Sequence, residues 1–172
     1  MIEFVSLKTP ESLERVRKIA DDIWPKTFRD ILSQEQIRYM MKMMYAPEVM
    51  EKELAGGFSF ELLSVDGKDA GYMVYAPYSE PGTLKLHKLY LLEEYHGKGY
   101  GQLMLSHVME KALAGGFSSV ILAVNKRNLR AKKAYDRAGF TVEKAVRIDI
   151  GNGFVMDDYW MRCPCRKNTA ET

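Results

Sequence analysis

Between Leu84 and Leu105 the chain reads LKLHKLYLLEEYHGKGYGQLML: an apolar strand, three alternating glycines, then an amphipathic run. Gly97, Gly99 and Gly101 let the backbone turn sharply and bring successive N–H groups against one anion. A helix starting there adds unpaired amides and the positive end of its dipole. Such a loop suits a diphosphate. It is not a P-loop, because no Gly-Lys-Ser/Thr closes it, and its glycine spacing differs from the dinucleotide fingerprint G-x-G-x-x-G. Further along, Lys126, Arg127, Arg130, Lys132, Lys133 and Arg137 form a basic run that offers either phosphate contacts or a solvated helix face, with Arg130 the best placed of them.

Those residues need elements to hold them. Ile2 to Leu7 alternates as a strand. Pro10 opens a helix over Glu11 to Trp24 with Thr9 as cap, and Pro25 is expected to end it. Ser33 caps a second helix in which Ile37, Met40, Met41 and Met44 recur, and a short third fits Glu48 to Leu54. Phe58 to Val65 and Ala70 to Ala76 read as strands joined by the hairpin turn Asp66-Gly67-Lys68. A strand over Thr83 to Leu92 leads into the glycine loop, followed by a helix over Gly99 to Ala114 with Leu105, Val108 and Ala112 inward. Then come a buried strand, Ser119 to Val124, a helix, Asn128 to Ala138, and two strands, Phe140 to Ile150 and Phe154 to Arg162, joined at Gly151-Asn152-Gly153. The order is strand, helices, three strands, helix, strand, helix, two strands.

Length and composition bound the rest. A chain of 172 residues, 47% hydrophobic and 28% charged, fits one globular domain. No window approaches the roughly 18 uninterrupted apolar residues of a membrane span, and the first residues lack a basic start before an apolar core, so a cytoplasmic protein without membrane contact is expected. A net charge of +2 creates no field that would recruit nucleic acid. Cys163 and Cys165 lie too close for an easy mutual disulfide and lack the second ligand pair of a zinc site, so neither a bridge nor a metal is expected.

The element order and three local patterns resemble the Gcn5-related N-acetyltransferase (GNAT) superfamily over most of the chain from Phe58 onward. Its signature, Gln or Arg, two residues, Gly, one residue, Gly or Ala, is matched from His96 to Gly101 except that His96 replaces Gln or Arg. The second pattern is Asn128-Leu129-Arg130-Ala131, Tyr135 and Ala138-Gly139-Phe140. The third is the strand carrying Leu89, Tyr90 and Leu91.

The resemblance implies a single-domain α/β fold over 1–172, with a central mixed, mostly antiparallel sheet, a V-shaped split and helices on both faces. Residues 1–57 would hold the first strand and the acceptor-side helices, 58–165 the core and 166–172 a tail. It implies acetyl-CoA as co-substrate, its diphosphate held by the main chain of His96, Gly97, Lys98, Gly99, Tyr100, Gly101 and Gln102. The pantetheine arm would meet bare backbone at Leu89, Tyr90 and Leu91, with Asn128 and Arg130 nearby. Tyr135 would act as general acid toward the departing thiolate.

A primary amine is protonated at neutral pH and must lose that proton before it attacks a thioester. His87, two residues before Leu89 on the same strand face, is the first candidate base, and a serotonin N-acetyltransferase branch resembles this arrangement. Glu93 and Glu94 are alternatives, and His107 is read as a surface residue. The segment Ile23 to Tyr45 resembles small bacterial enzymes of the polyamine N-acetylating branch. Trp24, Phe28, Tyr39, Met40, Met43, Met44 and Tyr45 are candidates for a pocket wall or for ordinary core. Asp21, Asp22, Asp30, Glu35, Asp157 and Asp158 could attract a cationic amine. The expected activity is direct acetyl transfer to a small amine, with a protein amine, or a non-catalytic acyl-CoA sensor, as alternatives; a homodimer is left open.

Overall fold

Asp66 and Gly67 both take left-handed φ, 51° and 78°, as a two-residue hairpin turn requires. Across it β2 (Ser59–Val65) and β3 (Lys68–Pro77) pair antiparallel, and β1 (Ile2–Leu7) pairs antiparallel with β2 on the other side. The structure is a computed structural model that describes residues 1–166; positions 167–172 of the expected tail lie outside the described residues.

A 3-10 turn over Glu11–Leu13, where the first helix was expected to start, and three α-helices separate β1 from β2. Before α1 (Glu14–Phe28), Thr9 Oγ1 accepts from Ser12 N–H at 3.3 Å while Ser12 Oγ donates to the Thr9 carbonyl at 2.6 Å. α2 (Gln34–Tyr45) starts at Ser33, whose hydroxyl accepts from Gln36 N–H at 3.1 Å. α3 (Pro47–Ala55) carries its proline in the first turn. The expected stop at Pro25 is corrected, because α1 runs three residues past it. Val16, Ile19, Ala20, Ile23, Trp24 and Phe28 form one buried stripe, and the Asp21 carbonyl that Pro25 leaves without its helical donor belongs to a residue in solvent. Burial of Phe28 outweighs one lost hydrogen bond.

β4 (Thr83–Leu91), α4 (Tyr100–Ala114), β5 (Ser119–Asn125), α5 (Leu129–Arg137), β6 (Thr141–Gly151) and β7 (Phe154–Pro164) complete the order read from the sequence. The sheet is mixed, with strand order β1-β2-β3-β4-β5-β7-β6. β4 and β5 pair in parallel, whereas β5 with β7 and β6 with β7 are antiparallel. The α/β class and the open, mostly antiparallel sheet agree with the expectation. No helix among the described residues is long and apolar enough to cross a membrane.

By packing, the chain divides into two compact units. The first comprises Met1–Ala76 and His87–Met104; the second comprises Pro77–Leu86 and the described chain from Leu105 on. In the first, Leu13, Trp24, Tyr45, Phe60, Leu62, Leu63, Tyr72 and Met73 are almost wholly buried. In the second the core is Leu105, Val108 and Ala112 of α4, as expected, with Val120, Ile121, Leu122, Phe140 and Met161. β4 and α4 each give residues to both units.

Candidate active site

In the first unit the glycine loop follows a single 3-10 turn, Glu93–Tyr95. Gly97 and Gly99 take φ of 75° and 83°, which side chains with a Cβ rarely adopt. A Cβ built on Gly97, Gly99 or Gly101 would meet nothing within 4 Å, so room is left above all three. Gly101 has no left-handed φ, and its glycine answers no steric demand of the protein itself. The first bond closing onto α4 runs from Leu103 N–H to the Gly99 carbonyl at 3.1 Å, so the Tyr100 and Gly101 amides precede the helical ladder. Lys98 is exposed and its ammonium lies 6.0 Å from the Tyr95 ring centre. Open space, left-handed turns and leading amides suit a diphosphate.

His96, the departure from the family signature, turns back onto the strand. Its Nε2–H donates to the Leu91 carbonyl at 2.9 Å, and its Nδ1 is buried without a protein partner. One of the main-chain groups expected to be bare is therefore occupied. Leu92 N–H donates to the Ala70 carbonyl at 2.9 Å, so the hydrogen bonding of β4 with β3 reaches the end of the strand. Leu89, Tyr90 and Leu91 are half-buried.

The Tyr90 ring is fixed by its neighbours, with centroids 5.7 Å from Trp24 and 5.6 Å from Tyr72. Trp24 Nε1–H donates to the Tyr45 hydroxyl at 3.0 Å, which shares a 2.6 Å bond with the Tyr72 hydroxyl. Trp24, Phe28, Met40 and Tyr45 are therefore core, while Tyr39 and Met44 are half-buried and Met43 is exposed. Gly71 permits the close approach of β4: a Cβ there would lie 2.5 Å from the Tyr90 carbonyl oxygen.

His87 is exposed and stacks on Phe58 with centroids 4.8 Å apart. A proton taken up there has a route to water. Glu93 and Glu94 are exposed.

Sequence reasoning missed Lys88. It is buried on β4, donating from Nζ to the Met44 carbonyl at 3.1 Å and lying 4.3 Å from the Tyr45 ring centre. It thereby satisfies one of the last carbonyls of α2. Burial lowers its pKa and the Glu53 carboxylate partly restores it. The signal was a lysine in phase with Leu84, Leu86 and Tyr90, on the apolar side of an alternating strand.

The second unit holds Asn128, Arg130 and Tyr135. The Asn128 side chain accepts from Ala131 N–H at 3.3 Å, so it caps α5. Arg130 is exposed. Of the basic run, Lys126 pairs with Asp157 at 2.9 Å and Lys132 with Asp136 at 2.8 Å. Tyr135 is buried against Phe140, ring centres 5.9 Å apart, and desolvation pushes its phenol up to about 12. It keeps its proton throughout the physiological range.

Asp158, 5% exposed on β7, is pushed up to about 6 by burial and then by Asp157, against the pull of Lys85 and Lys126. Lys85 lies 4.5 Å from the Trp160 ring centre and 5.5 Å from that of Tyr78. Burial raises the pKa of both Cys163 and Cys165, the opposite of what a nucleophilic thiol needs. His107, expected at the surface, is half-buried in α4.

The Acetyltransferase (GNAT) family profile matches residues 13–140. An uncharacterized N-acetyltransferase of Mycobacterium bovis is 33% identical over 95 residues, covering 53% of this chain and 60% of that protein, and its Mycobacterium tuberculosis counterpart matches equally. The chain thus spans about three fifths of the length of the curated relatives it matches. Among solved structures, the PaiA N-acetyltransferase of Thermoplasma acidophilum in complex with coenzyme A superposes with a TM-score of 0.79 at 23% identity, over 95% of this chain and 99% of that one. The ribosomal-protein-S18-alanine N-acetyltransferase of Escherichia coli gives 0.73 at 16% identity, over 100% and 99%. At these identities the likeness is one of fold.

Proposed function

The chain belongs to the acetyltransferase (GNAT) family, and from that premise we propose that it transfers the acetyl group of acetyl-CoA directly to a primary amine. The observation that carries this reading is the glycine loop, with left-handed φ at Gly97 and Gly99 and open space over Gly97, Gly99 and Gly101. Acetyl-CoA, when bound, supplies the acetyl group and a thiolate leaving group.

The chain's own residues divide the remaining work. Main-chain amides from Gly97 to Gln102 hold the diphosphate, and Lys98 and Arg130 add charge. The main chain at Leu89 and Tyr90 pairs with the amide-bearing arm as an added strand would. His87 accepts the proton the amine must lose. The amine nitrogen then forms its bond to the acetyl carbon as the carbon–sulfur bond breaks, and the second proton shed by the acylated nitrogen passes to water, which in turn restores the Tyr135 phenol after it has protonated the sulfur. The Tyr135 hydroxyl gives its proton to the sulfur, a transfer that suits a phenol still protonated at neutral pH. The two cysteines, held as thiols, support direct attack without a covalent enzyme intermediate.

The acceptor belongs in this reading to the small cationic amines, polyamines among them. The likeness of Ile23 to Tyr45 to the polyamine N-acetylating branch supports that class. Thiol release from acetyl-CoA in the presence of an amine panel tests the activity. Calorimetric binding of acetyl-CoA without any release would instead favour the acyl-CoA sensor, and release only with a peptide amine would move the acceptor to protein.

A further inference from the structure

β6 ends the sheet. It has eleven residues, pairs with β7 on one side, and has no strand beyond it among the described residues. A strand edge of that length presents a row of main-chain donors and acceptors, which proteins ordinarily blunt or cover. Nearly all of β6 is exposed, including Val142 at 44% and Ile148 at 39%. From Lys144 to Asp149 its pairing with β7 is regular, with irregularities only at Val142/Lys144 and Asp149/Gly151.

The side chains of this segment are self-complementary. Val146, Arg147, Ile148, Asp149 and Ile150 form a palindrome of type: apolar, basic, apolar, acidic, apolar. If a second copy lies antiparallel with Ile148 on the twofold axis, Arg147 of each faces Asp149 of the other. Val146 faces Ile150, and the two Ile148 side chains meet. Directly opposed residues on paired strands share a face, so both charge pairs and all apolar contacts form together.

Neighbouring registers fail. Centring on Arg147 opposes two arginines. Centring on Val146 sets Glu143 against Asp149. Centring on Ala145 depends on Glu143, which bulges from the ladder and already accepts from Arg162 Nε at 3.0 Å.

We propose that β6 is the self-association edge of this protein, pairing antiparallel with β6 of a second copy about a twofold axis at Ile148. The pairing is independent of the catalytic reading: it uses no residue assigned to acetyl transfer, and amine acetylation should persist in a monomeric variant.

The test is the mass of the full chain in sedimentation equilibrium up to about 100 µM, where weak dimers are populated. Wild type should be dimeric. Arg147→Asp sets the introduced carboxylate of each copy against Asp149 of the other and should raise the dissociation constant roughly 10- to 30-fold, two pairs being reversed. Asp149→Arg should do the same. Mixed one to one, the two variants should form a heterodimer, since their charges are again opposite. Asp149 Oδ1 also accepts from Gly151 N–H at 2.8 Å, so Asp149→Arg is checked for folding by circular dichroism, and if it is unfolded Arg147→Asp decides alone. A monomeric wild type, a dimer undiminished by Arg147→Asp, or folded variants that fail to pair when mixed would overturn the proposal.

Discussion

At the scale of single residues, the proposed chemistry turns on a phenol and a glycine. Burial keeps the Tyr135 hydroxyl protonated to about pH 12, so on this reading no alkaline decline in kcat below about pH 11 arises from it. Tyr135→Phe should lower kcat by about 10²- to 10⁴-fold while leaving acetyl-CoA affinity within a few-fold, which steady-state kinetics and calorimetry would resolve. An unchanged kcat would remove Tyr135 from the acid role. Gly101 gives the complementary case. Its backbone is ordinary and a methyl there meets no protein atom, so Gly101→Ala should leave the melting temperature unchanged or slightly raised. If the space above it holds the diphosphate, the same substitution should weaken acetyl-CoA binding at least about ten-fold, the cost of misplacing a tightly held group.

Elements show where sequence reasoning succeeds and where it stops. Ser33, Asn128, Asp66-Gly67 and Gly151-Asn152-Gly153 mark their helix starts and hairpins correctly, because caps and left-handed turns are decided by neighbours in the chain. Pro25 misled, because the stripe continuing to Phe28 is buried against distant residues that local patterns do not register. Lys88 escaped for the same reason, since it answers a carbonyl 44 residues away; the ring bond of His96 is local, reaching Leu91 five residues back, and escaped because the family signature places a Gln or Arg there. Gly71, inside the strand read from Ala70 to Ala76, is where β4 comes close, a demand set by Tyr90 and not by its chain neighbours. Gly71→Ala would push a methyl against the Tyr90 carbonyl and should cost about 1–3 kcal/mol, read as a lower thermal midpoint. The accompanying shift at the end of β4 should raise the KM for acetyl-CoA more than it lowers kcat.

For the whole molecule, the clearest electrostatic signature lies in the dependence of stability on pH. A carboxyl whose folded pKa is raised binds its proton more tightly in the native state. Asp158 should therefore favour folding most below about pH 4, its usual value, and that benefit disappears as pH rises through about 6. The difference corresponds to roughly 3 kcal/mol between those limits. Glu80, held low by its bonds to Thr83 and Arg162, acts in the opposite sense, so the wild-type curve alone mixes the two. Asp158→Asn isolates the effect: relative to wild type it should gain stability at pH 7 and show little gain at pH 4 in urea denaturation. Equal differences at both pH values would mean that Asp158 titrates normally.

The interleaving of the two units governs how the chain can be made. Unit one needs His87–Met104, and unit two needs Pro77–Leu86 as well as β7. During translation the first 76 residues therefore leave the ribosome without the strand end that completes their packing. The second unit waits for β7. Such a protein offers no cut point between Pro77 and Met104 that yields two independent fragments, and a nick there should abolish both halves together.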